Sequence, residues 1–210
     1  MIYIVGLGPG HKDYILPKAL DILDKSHIVL GFKRALDSLN VEENKKVYLK
    51  KLSDIDKFLC NNDQSYNCIN KKLSTNVSIV ASGDPTFYGI TNYIKTKASL
   101  DFEIIPGISS FQYLTSKAKI PWNDAYLGSL HGRNEDFIEC VNKNPLSIWL
   151  TDNENTPREL CRKLYNENIK CEVVIGENLS YEYEVITIGI PIDLMKNDYS
   201  KLSIFIVIRS

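Results

Sequence analysis

The sequence predicts an α/β protein made of two consecutive α/β domains. Three observations carry that prediction. Over the first 105 residues, apolar β-branched runs alternate with helix-period segments, the pattern of a largely parallel sheet covered by helices. Three glycine–proline segments each follow such a run: Gly6-Leu7-Gly8-Pro9-Gly10, Ser82-Gly83-Asp84-Pro85 and Pro106-Gly107-Ile108-Ser109-Ser110. Beyond residue 110 the pattern changes to closely spaced strands with fewer helices. The domains are accordingly set at 1–110 and 111–210, with the third glycine turn as the hinge.

In chain order, Ile2 to Val5 reads as the first strand. After the Pro9 turn, Leu16, Ala19, Leu20 and Leu23 mark one face of a helix, and Pro17 suits its first turn. His27 to Leu30 is a strand, Ala35 to Leu39 a short helix and Val47 to Leu49 a candidate third strand. Ser53 to Asn70 reads as a polar helix with Ile55, Phe58, Leu59 and Ile69 inward, broken near Asn61-Asn62. Strand Val77 to Ala81, helix Tyr88 to Lys97 and strand Phe102 to Ile105 complete the first domain. In the second, Ser110 to Ala118 and Pro157 to Asn166 are helices. Ala125 to Leu130, Ser147 to Leu150, Glu172 to Ile175, Glu184 to Ile188 and Ser203 to Ile208 are strands. The polar–apolar alternation from Ser180 to Ile188 points to an antiparallel strand.

Composition removes several function classes. The formal net charge is -1 with 24% charged residues, which argues against a broad nucleic-acid footprint. No run reaches the length of a membrane span, and Met1 leads straight into a strand, so neither a membrane anchor nor a signal peptide is expected. The five cysteines, Cys60, Cys68, Cys140, Cys161 and Cys171, form no CxxC pair. Their odd number and scatter fit reduced thiols in a cytoplasm and no metal site.

The three turns should share one crevice, because ligands of open α/β sheets bind beyond the carboxyl ends of the strands. The first turn is not a dinucleotide fingerprint. G-x-G-x-x-G needs a third glycine where His11 stands, and Pro9 removes an N–H that could hold a pyrophosphate. No acidic residue closes the second strand, which runs into Gly31-Phe32-Lys33-Arg34. Taken alone, Asp84 is a helix N-cap with Pro85 at N1, Phe87 is core, and Gly107 to Ser109 is a hinge.

With these turns, the segment Ser129-Leu130-His131-Gly132-Arg133 and the segment Gly176-Glu177-Asn178-Leu179-Ser180, the chain resembles the tetrapyrrole (corrin and porphyrin) methylase family over its whole length. The last two segments, with Ile120-Pro121-Trp122, are similar to the branch that methylates carbon 5 of a cobalt-precorrin in the anaerobic cobalamin pathway. The resemblance implies two α/β domains with the ligand cleft between them, and S-adenosyl-L-methionine as methyl donor. It implies donor contacts at Pro9, Gly83, Asp84, Phe87, Gly107, Ile108 and Ser109, with Leu150, Gly176 and Ser203 on the adenine side. His131 and Arg133 become candidates for the carboxylates of the cobalt-precorrin substrate, with Lys33 and Arg34 behind them. His11 and His27 stay structural or exposed.

The resemblance further implies a homodimer, and a chain that acts beside a separate carbon-15 methyltransferase/decarboxylase rather than fused to it. No catalytic acid or base follows from it. Thr86, after Gly83-Asp84-Pro85, departs from the family pattern of a glycine or bulky apolar residue. Three alternatives stay open: methylation at another ring position, a ribosomal-RNA methylase of the same architecture, and a non-catalytic nucleotide-binding protein.

Overall fold

Five of the apolar runs of the first half are strands: β1 (Ile2–Gly6), β2 (Ile28–Phe32), β3 (Lys46–Leu49), β4 (Val77–Ala81) and β5 (Phe102–Ile105). The computed structural model describes residues 1–59, 76–97, 101–132 and 135–209. Its chain divides into two units, Met1–Ser109 and Ser110–Ser210. In the first unit the strands form one sheet in the order β3-β2-β4-β1-β5, and every pairing is parallel. Both faces of β1 are apolar because both are covered. Ile2 and Ile4 pack into one cluster with Leu30, Ile79 and Ile94, while Val5 and Leu7 pack into another with Ala19, Leu23 and Val80.

Among the described residues, four α-helices accompany this sheet: α1 (Pro17–Lys25), α2 (Lys33–Asp37), α3 (Asp56–Leu59) and α4 (Thr91–Lys97). Pro17 opens α1 at its first position. Its buried face is Ala19, Ile22 and Leu23, so Leu20, expected inward, is on the solvent side. Ala19, Leu20, Ile22 and Leu23 fit two overlapping stripes, and the sheet takes the one that includes Ile22. A 3₁₀ turn, Leu52–Ile55, leads into α3, and the remainder of the expected Ser53 to Asn70 helix lies outside the described residues from 60 onward. Helix α4 starts at Thr91, not Tyr88. Tyr88 has φ +49°, and a Cβ on Gly89 would lie 2.4 Å from the Pro85 carbonyl oxygen, so the chain turns tightly there before it can coil.

The second unit contains α5 (Ser110–Ala118), β6 (Tyr126–Ser129), α6 (Phe137–Lys143), β7 (Leu146–Leu150), α7 (Pro157–Asn166), β8 (Cys171–Glu177), β9 (Val185–Gly189), α8 (Pro191–Leu194) and β10 (Ser203–Arg209). Its sheet runs β6-β7-β10-β8-β9; β6 and β7 are parallel and the other pairs antiparallel. Trp149 and Phe205 are fully buried, against Phe137 and Val141 of α6 and Leu160, Cys161 and Leu164 of α7. Trp149 donates its indole N–H to the Ser147 hydroxyl at 2.9 Å, which satisfies the one polar group of that core ring. Residues 178–183 form turns, with Asn178 and Ser180 at positive φ, and β9 returns antiparallel to β8. Among the described residues no helix is long and apolar enough to cross a membrane.

Candidate functional site

Because all five strands of the first sheet point the same way, the three glycine turns leave it on one edge. There they touch. A Cβ on Gly107 would lie 2.3 Å from the Gly83 carbonyl oxygen and 2.9 Å from the Gly6 carbonyl carbon. A Cβ on Gly6 would lie 2.6 Å from the Gly107 nitrogen. No side chain fits into such an approach, which is why three separate segments carry glycine at these points. Gly8 and Gly83 add an isolated antiparallel bridge, with the Gly83 N–H donating to the Gly8 carbonyl at 2.8 Å. Gly83 itself has φ +67°, and its open side meets only the Ser109 Cα, at 3.7 Å. The backbone of the second turn is thus free to approach a ligand where a side chain would stand.

Asp84 ties two of these turns together. Its Oδ1 accepts the Thr86 backbone N–H at 2.7 Å and the Thr86 hydroxyl. Its Oδ2 accepts the Gly107 N–H at 3.2 Å. The expected helix N-cap is therefore corrected: residues 85–90 are turns and bends, and the carboxylate closes an Asx turn onto the residue two positions on. Around it, Pro9, Ile108 and Phe87 are half-buried, Phe87 edge-on to Tyr88 with ring centroids 4.9 Å apart. Ser109 is buried. Seven of the candidate residues, Pro9, Gly83, Asp84, Phe87, Gly107, Ile108 and Ser109, thus belong to one cluster of turns at the carboxyl edge of the parallel sheet.

In the second unit, a single rung crosses all five strands: Ser129, Leu150, Ile204, Gly176 and Ile186. Leu150 and Gly176 therefore flank β10 on either side, and Ser203 is the residue that starts β10. The strand expected to end at Ile175 runs on to Glu177, so Gly176 is buried inside β8, where a Cβ would lie 2.7 Å from both Leu114 and Leu179. Thr151 donates to the Ser203 carbonyl at 2.8 Å, which joins the end of β7 to the start of β10.

His131 follows this rung and is exposed, in a turn where Gly132 has φ +63°. Arg133 lies outside the described residues. One carboxylate holds the strand before this turn and another the turn itself. Glu135 accepts the Ser129 N–H at 3.4 Å and the Tyr126 hydroxyl at 3.2 Å. Asp152 receives the Gly132 N–H. Burial raises the Asp152 carboxyl, but the Asn155 and Glu154 backbone amides, the Asn155 side chain and Gly132 outweigh it and hold it below the ordinary carboxylate range.

From the sequence Thr86 stands out only as a departure from the family pattern, not as a partner of Asp84, and Glu135 and Asp152 do not stand out at all. The D-x-T spacing of an Asx turn was a legible signal for the first. Asp152 carried a weaker one, an acidic residue two positions past a strand end.

Residues 1–190 match the tetrapyrrole (corrin/porphyrin) methylases. The chain is 34% identical to a probable cobalt-precorrin-7 C(5)-methyltransferase of Methanocaldococcus jannaschii, covering 97% of this chain and 96% of that one. It is 32% identical to the cobalt-precorrin-7 C(5)-methyltransferase of Salmonella typhimurium, covering 99% and 98%. The fold is that of a uroporphyrin-III C-methyltransferase from Thermus thermophilus solved with S-adenosylhomocysteine, with a TM-score of 0.75, 17% identity and coverage of 99% and 91%. Glycine turns meeting at one sheet edge, the matching fold and the family match over nine-tenths of the sequence agree: the chain belongs to the tetrapyrrole methylases.

Proposed function

We propose that this protein is an S-adenosyl-L-methionine-dependent methyltransferase acting on carbon 5 of cobalt-precorrin-7, with cobalt arriving inside the substrate. The observation that carries a donor site is the meeting of Gly6, Gly83 and Gly107, which leaves backbone rather than side chains at the edge of the parallel sheet. Support for the substrate comes from full-length relatives named for it. In this proposal Pro9, Gly83, Asp84, Phe87, Gly107, Ile108 and Ser109 hold the methionine and ribose parts. Leu150, Gly176 and Ser203 serve the adenine, and His131 and Arg133 serve the ring's carboxylates.

The donor brings an activated methyl whose leaving group is a neutral thioether. Carbon 5 gives its electron pair to the methyl carbon as the methyl–sulfur pair passes to sulfur. What remains for the protein is in-line positioning and exclusion of water, and positioning of this kind lowers a barrier by about 7–11 kcal/mol. Closely packed glycine turns suit that task, because they present backbone groups that have no rotamers to order.

The test is turnover. Purified protein with the donor and cobalt-precorrin-7 should give one new methyl at carbon 5, read by ¹³C NMR with a labelled methyl group. Methylation at another carbon, or of ribosomal RNA alone, overturns the proposal.

The same proposal includes a cytoplasmic homodimer. Strand β9 lies at a sheet edge and exposes Val185 and Ile188, surface that a second copy would cover. Sedimentation should give about twice the 23.9 kDa chain mass; a monomer at micromolar concentration refutes it.

A further inference from the structure

We infer that Thr86 is a positioning residue: its hydroxyl fixes the Asp84 carboxylate so that Oδ2 holds the Gly107 amide, and so sets the Gly107–Ser109 turn. The inference rests on the donor site proposed above and says how that site is kept in shape.

A carboxylate offers about four acceptor positions. At Asp84 three are taken by protein donors, two on Oδ1 and one on Oδ2. The backbone N–H of Thr86 alone would form an ordinary Asx turn, which leaves the carboxylate free to rock about a broad, roughly two-fold torsion. A second donor on the same oxygen removes that freedom and points Oδ2 at Gly107. The distance of 3.2 Å makes this the longer contact of the set, and the one most easily lost if the carboxylate turns.

Packing does not explain Thr86. The residue is exposed, so its methyl adds nothing to a core and water could satisfy its hydroxyl at no cost. The consequence of its bond lies across the gap between two turns. Gly107 sits against the Gly83 carbonyl so closely that no side chain of its own can locate it. The Asp84 bond supplies that location. Asp84 thereby acts on the donor through the backbone it holds, and Thr86 acts through Asp84.

Thr86→Val keeps the shape and removes the hydroxyl; Thr86→Ser keeps the hydroxyl. Two readouts separate the outcomes. The first is titration calorimetry with S-adenosylhomocysteine. The Val variant should bind about tenfold more weakly, the size of a hydrogen bond to a charged group. The Ser variant should bind within about twofold of the parent. The second is hydrogen exchange of the Gly107 amide by NMR in the ligand-free protein, faster in the Val variant and unchanged in the Ser variant. Equal affinity in the Val variant and the parent overturns the inference, as does equal weakening by Val and Ser. If the parent binds no S-adenosylhomocysteine, the donor site is what fails. Gly107 exchange then decides alone: protection lost in Val supports the positioning role, and protection unchanged overturns it.

Discussion

At the scale of single residues, two glycines in turns should lose unequal amounts of stability on the same change, for reasons of space. Gly107→Ala forces a Cβ to within 2.3 Å of a backbone oxygen that cannot swing aside. A loss of at least about 3 kcal/mol in urea unfolding is expected, at the top of the range for overpacking. Gly132→Ala meets nothing within 4 Å and carries only its φ of +63°. That conformation costs about 1–2 kcal/mol for a residue with a Cβ. If the two variants unfold alike, the close approach of the turns is wrong. The glycines themselves were legible from their places after apolar runs. What Asp84 does was not, because its partner Gly107 is 23 residues away and comes near only when β1 lies between β4 and β5.

Elements with strong local signals were read with their full bounds. Pro157–Asn166 carries an apolar stripe at Leu160, Cys161 and Leu164, and a cap at Thr156, whose hydroxyl accepts the Glu159 N–H at 3.3 Å. Thr156→Ala should cost about 1 kcal/mol, measured by urea unfolding, with no change in donor binding. Helix α6 went unread because only Phe137 and Val141 of its seven residues are buried, too few to reveal a period.

Burial of Cys161 in α7 and Cys171 in β8 has a pH consequence. Burial, with Cys171 adding to it, pushes the Cys161 thiol up to about 12; burial alone pushes Cys171 up to about 11. In the unfolded chain both ionise near 8.5. Raised folded values mean that the protonated thiols stabilise the fold fully below that pH, and that this contribution is lost as pH climbs through 9 towards 11 and 12. Unfolding free energy should fall across that window, and less steeply in Cys161→Ala once its own stability offset is subtracted. A flat profile between pH 8 and 11 refutes the burial of the pair.

For the whole molecule, ligand linkage gives a direct check. S-adenosylhomocysteine at a hundred times its Kd should raise the unfolding free energy by about 2.7 kcal/mol, provided that it binds only folded protein. No rise at saturating ligand removes the donor site. The two-part α/β character was legible because runs and turns alternate in the first half and strands crowd in the second. Strand order was not, since neither sheet follows the chain: β1 pairs with β4 and β5, and β10 lies between β7 and β8. That last placement has a consequence in time. During synthesis, β6 and β7 can pair as soon as both exist, and β8 and β9 can close their hairpin, yet the two pieces share no hydrogen-bonded edge until Ser203–Arg209 is available to join them. The aromatic core around Trp149 must wait for Phe205, some 56 positions later in the chain, roughly 3–11 s at about 5–20 residues per second. From the completion of β9 at Gly189 until then, two half-sheets stand with apolar faces and open edges, the state most exposed to wrong pairing, and β10 is the strand that ends it.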